Sequence, residues 1–128
     1  RSRFVADFLG LTNMVPATIT GTDGDDAIVS CIFGEARARG ARTDWKAGQQ
    51  VALTVRPSAL LVTRDDERTS GASGSVVASV YQGESFLYVV DVGGATVQTY
   101  GPATTRWLEG DRVGLALRPD ASLWLLDD

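Results

Sequence analysis

Gly48-Gln-Gln-Val51-Ala-Leu53-Thr-Val-Arg56-Pro57 has a second copy in the same chain, Gly110-Asp-Arg-Val113-Gly-Leu115-Ala-Leu-Arg118-Pro119. The shared register is Gly, two polar residues, Val, any residue, Leu, two residues, Arg-Pro. An apolar run follows each copy, Leu60-Leu61 after the first and Leu123-Trp124-Leu125 after the second. Val-x-Leu alternation is strand periodicity, with the apolar side chains on one face. The leading Gly is a turn signal, and the Pro, which has no N–H for a ladder, is a strand stop. Each copy therefore reads as turn, strand, Arg-Pro corner, short strand. A register met twice points to internal duplication.

The flanking sequence extends the repeat. Phe4-Val-Ala-Asp-Phe8-Leu-Gly10 precedes the first copy and Val77-Ala-Ser-Val-Tyr81-Gln-Gly83 the second, each with an aromatic two residues before a Gly. A second alternating run follows each, Met14 to Ile19 and Phe86 to Val92. The first half holds extra residues between about Ile28 and Lys46, where a hairpin insertion is expected.

At 128 residues the chain is one compact unit or two very small ones sharing a core. Half this length would be marginal alone, so the halves are expected to pack together. A hydrophobic fraction of 44% is that of a globular chain rather than a disordered one. Fourteen glycines and many β-branched residues, with no long i, i+3, i+4, i+7 stripe, favour an all-β fold. The net charge of -4 argues against a nucleic-acid surface. No apolar run is long enough for a transmembrane helix, and no signal-peptide pattern opens the chain. Arg1-Ser-Arg-Phe starts without a Met, so the chain is expected to be a piece of something longer. The single cysteine, Cys31, has no partner for an internal disulfide, which fits a reducing compartment. It sits in an apolar strand and reads as a buried structural thiol.

Strands are expected at Phe4–Leu9, Met14–Thr20 and Ala27–Phe33. Pro16 marks an edge or a strand beginning. Asp23-Gly24 is a hairpin turn. Glu35 to Arg42, with charges interleaved by Ala and Gly, reads as an exposed hairpin arm. Arg64 to Gly74 is polar and Gly/Ser-rich and reads as the boundary between halves. Ser75–Tyr81 and Glu84–Val92 form a hairpin about Gln82-Gly83, and Gly93-Gly94 turns into Thr96–Tyr100. The expected fold is therefore all-β, a tandem of small β-barrels built by duplication and packed as one unit, with halves at 1–68 and 69–128.

With no histidine, the Ser-His-Asp triad, the Cys-His pair and imidazole metal sites are all excluded. Asp23, Asp25 and Asp26 surround a Gly but lack calcium-loop spacing, and read as a solvated hairpin tip. Thr69-Ser-Gly-Ala-Ser-Gly74 resembles a phosphate loop in composition only, because no Gly-Lys dipeptide occurs in the chain. Arg37, Arg39, Arg42 and Lys46 lie near Trp45. Aromatic and basic residues together can bind single strands on an OB barrel, but the overall acidity favours a solvated arm or a partner contact. Arg56 and Arg118 are equivalent by the repeat, either as anion ligands or as structural corner residues with Pro57 and Pro119, each guanidinium hydrogen-bonded at its strand corner. Recurrence favours structure. Trp107 and Trp124 are core or interface aromatics. The tail from Leu123 to Leu126 is a closing strand of the second barrel or part of a contact with another copy, which would use Trp124 and Leu125.

Phe4-Val-Ala-Asp-Phe-Leu-Gly-Leu-Thr-Asn13 resembles the phrase joining the ATPase domain to the C-terminal domain in importer ATPase subunits. Val55-Arg-Pro57 resembles the same family's VRPE corner, with Ser58 in place of the usual Glu. Val80-Tyr-Gln-Gly83 with Tyr88-Val resembles its Y-x-G…Y-x-V segment. These phrases cover nearly the whole chain in order. The sequence is thus similar to the TOBE (transport-associated OB) domain of ABC importer ATP-binding subunits of the polyamine, ferric-iron or sugar type. That resemblance implies that the two halves are tandem OB-like small β-barrels, and that the chain is a non-catalytic regulatory or dimer-stabilising domain. It implies a cytoplasmic location against the inner face of the membrane, and a homodimer with the ATPase domain and transporter membrane subunits as partners. ATP and Mg would be held by the ATPase domain, with no cofactor, no metal and no nucleic acid on this chain. The alternative function is a sensing domain for an oxyanion or the transported solute.

Overall fold

The computed structural model describes residues 12–39, 46–65, 71–121 and 123–126, with the Leu126 side chain outside that set. Ten strands run in chain order: β1 Asn13–Asp23, β2 Asp26–Cys31, β3 Gly34–Ala38, β4 Gln50–Val55, β5 Leu60–Arg64, β6 Ala72–Tyr81, β7 Ser85–Val92, β8 Ala95–Pro102, β9 Arg112–Leu117 and β10 Trp124–Leu126. The chain divides into two contact units, one of Arg1–Arg56 with Ala121–Asp128 and one of Pro57–Asp120. This differs from the sequential halves expected at 1–68 and 69–128.

In the first unit the sheet order is β10-β4-β1-β2-β3. Val15, Ala17 and Ile19 alternate inward along β1, as do Ala27 and Val29 along β2. The ends of this sheet meet. Arg39, directly after β3, forms a parallel bridge with Trp124. Its N–H donates to the Leu123 carbonyl at 2.8 Å, and its carbonyl accepts from Leu125 N at 3.0 Å. The result is a closed five-stranded barrel with Leu53, Val55, Leu123 and Leu125 in its core. The Arg39–Trp124 bridge joins the two edges of the sheet just past β3. Pro16 is tolerated because the β1–β2 ladder begins only at Ala17.

In the second unit the order is β5-β9-β6-β7-β8. Here the outer strands meet where β8 has Gly101. A Cβ there would lie 2.8 Å from Tyr88 Cε2 and 3.2 Å from Val62 Cγ1, so the bare glycine lets β8 approach β5. Leu60, Val76, Tyr88, Val90, Val97, Val113 and Leu115 form the core, with Thr99 buried among them.

The two barrels have the same topology. β1, β2, β3 and β4 correspond to β6, β7, β8 and β9. The fifth strand is exchanged: after β4 and the Arg56-Pro57 corner the chain becomes the fifth strand of the second barrel, β5. After β9 and the Arg118-Pro119 corner it becomes the fifth strand of the first, β10.

Four expectations are corrected. The tail closes the first barrel, not the second, because its register with β4 buries Leu123 and Leu125 there. Glu35 to Arg39 is no exposed arm and no insertion. Ala38 is buried and Ala36 half-buried facing β2, while Glu35, Arg37 and Arg39 face out, so a charged segment with small inward residues makes a barrel strand. The counterpart of the run from Met14 is β6 rather than Phe86–Val92, a shift of one strand. The stretch Arg64 to Gly74 is not all linker, since β5 includes Arg64 and β6 starts at Ala72. The expected strand at Phe4–Leu9 lies outside the described residues.

Candidate functional site

The repeated stretch begins with the same turn in both units. Gln49 N donates to the Lys46 carbonyl at 3.1 Å, and Asp111 N to the Leu108 carbonyl at 2.9 Å. Gly48 and Gly110 hold the third position with φ of 92° and 94°, which is why each copy needs Gly there. Beyond β4, buried Pro57 starts a 3-10 turn, Pro57–Ala59. Arg118 reaches that turn: its Nε donates to the Ser58 carbonyl at 3.0 Å and its backbone N to the Ala59 carbonyl at 2.8 Å. Arg56 is exposed and, among the described residues, its side chain makes no hydrogen bond or ion pair. Pro119 is exposed in a turn. The two arginines, equivalent in sequence, therefore differ in structure: Arg56 ends its stretch of the first unit, whereas Arg118 lies within the second. Trp107 is half-buried, and its N–H donates to the Tyr88 hydroxyl at 3.0 Å.

The first unit carries a groove at one end of its barrel. Asp23 and Asp26 are the last pair of the β1–β2 ladder. Gly24, with φ of 63°, starts the two-residue turn as a type II′ turn requires. Ala27 pairs with Ala38 and both are buried, so Asp26 and Arg39, the next residues outward, face away from the core. The bridge from Arg39 sets Trp124 beside them, 50% exposed. Asp25, Asp26, Arg39 and Trp124 line a cavity of about 520 Å³. Arg37 lies 2.7 Å from Asp23 and 3.5 Å from Asp26. The hydrogen bond that Arg37 donates to Asp23, then the charge of Asp23, holds the Arg37 pKa above its ordinary value. Among the described residues, neither the Asp25 carboxylate nor the Arg39 guanidinium has such a partner. No three metal-ligating side chains come together among the described residues.

Sequence reasoning named Trp124 and the aspartates separately. Nothing in the linear pattern joined them, because the parallel Arg39–Trp124 bridge links positions far apart in the chain. Leu125, named with Trp124 as a possible interface residue, is buried in the first barrel at 6% exposure. Arg42 and Trp45, members of the basic and aromatic cluster, lie outside the described residues. Cys31 is half-buried, with its Sγ–H donating to the Gly34 carbonyl at 3.4 Å. Burial pushes its thiol up from the ordinary 9.0, against smaller opposing effects of backbone hydrogen bonds at Phe33 and Gly34.

The second unit presents an apolar outer surface. Val80, Leu87 and Tyr100 sit directly opposite one another across β6, β7 and β8. Val77, Val80, Tyr81, Tyr100 and Leu108 are all exposed. Tyr81 and Phe86 rings lie 5.2 Å apart, Phe86 and Tyr88 5.8 Å apart, and the Arg106 guanidinium stands 5.6 Å from the Phe86 centroid. No helix among the described residues is long and apolar enough to cross a membrane.

The TOBE domain family matches residues 53–125. The chain is 33% identical over 132 residues to the spermidine/putrescine import ATP-binding protein PotA of Pseudomonas fluorescens, covering 99% of this chain and 35% of that protein. It is 34% identical over 131 residues to the protein of the same name from Ruegeria pomeroyi, covering 98% of this chain and 34% of the relative. It is 31% identical over 90 residues to the Fe(3+) ions import ATP-binding protein FbpC of Rhizobium etli, covering 70% and 24%. The chain thus spans about a third of the length of the polyamine-import relatives. Among solved structures it resembles the cytoplasmic molybdate-binding protein ModG, with a TM-score of 0.67 at 14% identity, over 87% of this chain and 94% of the other. At that identity the likeness shows the fold, a tandem of OB-type barrels. With the family match over residues 53–125 and importer ATP-binding relatives aligned over nearly the whole chain, the chain belongs to the TOBE domain family and is a non-catalytic domain of the ABC importer ATP-binding type.

Proposed function

We propose that this chain is the C-terminal regulatory and dimerisation domain of an ABC import ATP-binding protein. The observation that carries the reading is its near-complete alignment with one third of each polyamine-import relative. The remaining two thirds would hold ATP and magnesium and engage the transporter's membrane subunits, at the cytoplasmic face of the membrane. No nucleic acid takes part. The exposed apolar residues of the second unit, Val80 and Tyr100, with Val77 near Val80 in the chain, support a contact with a second copy, and a two-fold contact would use the same patch on both chains. Sedimentation velocity over a hundredfold concentration range tests this: a reversible monomer–dimer equilibrium is expected, and a monomer at every concentration would remove dimerisation from this domain. Nucleotide turnover by the purified chain above a contamination control would overturn the non-catalytic reading.

A second reading, a small-ligand sensor, is favoured by the groove of the first unit, where Asp25 and Arg39 have no ion-pair partner among the described residues and stand beside an exposed Trp124. The relatives' names suggest a polyamine as the ligand, and the structural neighbour's suggests an oxyanion. Melting measured with and without each solute tests it, because a ligand bound only by the folded state raises Tm.

A further inference from the structure

We propose that the groove lined by Asp25, Asp26, Arg39 and Trp124 is a binding site for an amino-carboxylate zwitterion. The inference rests on the sensing reading and names its ligand class, which is neither the polyamine nor the oxyanion.

The charge arrangement decides the class. Among the described residues, three carboxylates, Asp23, Asp25 and Asp26, meet two guanidinium groups, Arg37 and Arg39, at this end of the barrel. Arg37 is engaged by Asp23 and Asp26. Among the described residues that leaves one carboxylate, Asp25, and one guanidinium, Arg39, without an ion pair on the same cavity, and they do not pair with each other. A polyamine entering the cavity would satisfy Asp25 but would face Arg39 with like charge. An oxyanion would satisfy Arg39 but would face Asp25 and Asp26. A ligand with an ammonium group at one end and a carboxylate at the other satisfies both, through two charge-assisted hydrogen-bonded pairs. Trp124 adds an indole that covers a methylene chain or the ammonium face. The volume, about 520 Å³, is within the usual range of small-molecule sites.

The backbone fixes the residues in place. Arg39 and Trp124 belong to the bridge that closes the barrel, with hydrogen bonds of 2.8 and 3.0 Å. Asp25 belongs to a tight two-residue turn. Their side chains point away from the core, so they can be changed without opening it. Neither the repeat nor the fold requires an acid, a base and a tryptophan here. The corresponding place in the second unit, by topology, is the β6–β7 turn Gln82-Gly83-Glu84 with the end of β8 and the start of β5, and it has no tryptophan.

The test is isothermal titration of the 128-residue chain with four probes of similar length: γ-aminobutyrate, putrescine, butyrate and butylamine. The proposal expects γ-aminobutyrate to bind and each single-charge probe to bind about tenfold more weakly or not at all. Asp25→Asn and Arg39→Gln should each weaken γ-aminobutyrate about tenfold, with the circular dichroism spectrum and Tm in the absence of ligand unchanged. Binding that survives both substitutions at full strength overturns the placement. Binding of putrescine with γ-aminobutyrate silent overturns the zwitterion while leaving the sensing reading standing. Silence of all four probes and of molybdate up to millimolar concentration overturns both.

Discussion

Ile19 and Val76 are counterparts in two different barrels. The Ile19 N–H donates to the Gln49 carbonyl at 2.9 Å, and its carbonyl accepts from Gly48 at 2.7 Å. The Val76 N–H donates to the Asp111 carbonyl at 2.9 Å, and its carbonyl accepts from Gly110 at 2.8 Å. Each is followed by a one-residue irregularity in the ladder with the next strand, at Thr20 and at Val77. Both are buried. The duplication read from Gly48 and Gly110 therefore extends to the first strand of each barrel.

Removing residues 121–128 should open the first barrel and spare the second. Leu123 and Leu125 leave the core, and each buried side chain contributes about 1.5–3 kcal/mol. β3 and β4 also lose the strand between them. Hydrogen exchange should show lost protection in β1 to β4 and retained protection in β6 to β9. Protected β1–β4 amides in the truncated chain would contradict the exchange of fifth strands.

Tyr88→Phe should cost about 1–3 kcal/mol in chemical denaturation. The ring is fully buried. Its hydroxyl accepts from Trp107 N at 3.0 Å and donates to the Thr105 carbonyl at 3.3 Å. Phenylalanine leaves both backbone groups without that partner. A wild-type denaturation midpoint would mean that water replaces the hydroxyl.

Gly71→Ala should destabilise by about 1–3 kcal/mol or more. A Cβ at this position would overlap the Leu115 carbonyl oxygen, so β9 or the start of β6 must move. Gly21→Ala serves as the control, since nothing lies within 4 Å of its Cβ position. Equal melting of the two variants would refute the close approach.

Arg118→Ala should cost about 0.5–1.5 kcal/mol through loss of its bond to Ser58. Arg56→Ala should stay within about 0.5 kcal/mol of wild type, as exposed residues without partners do. Equal losses for both would restore the symmetric corner role that the repeat suggests.

Cys31 sets an alkaline dependence. Its thiol titrates above 9.0 when folded because burial disfavours the thiolate. A raised folded pKa means that the folded state keeps a proton that the unfolded state releases. The contribution is fully present below 9.0 and is lost as pH rises through the folded value. Wild type should lose stability relative to Cys31→Ala above pH 9.0 and run parallel to it below. Parallel curves throughout would remove the effect.

The sequence made the strand after each Gly legible because Val51, Leu53 and Val113, Leu115 alternate without interruption. The Gln82-Gly83 hairpin was equally plain. β3 was not, because its inward residues are Ala36 and Ala38, too small to mark a face against Glu35, Arg37 and Arg39. The partner of β10 was hidden for a different reason. Alternation tells which side chains of Leu123-Trp124-Leu125 go inward, but not into which barrel. The same non-local bridge hid the groove: Asp25, Arg39 and Trp124 carry no common spacing, and a strand crossing alone brings them together.

The exchange of fifth strands has a consequence for synthesis. When β4 emerges from the ribosome, the first barrel has four of its five strands, and the next strand made, β5, is used elsewhere. Its closing strand follows only after residues 57–120. At about 5–20 residues per second, the β3 and β4 edges wait on the order of several seconds before Leu123 and Leu125 arrive. The second barrel, whose strands all lie within one continuous stretch, can close first, so the part of the chain made later is the part ready to finish folding earlier.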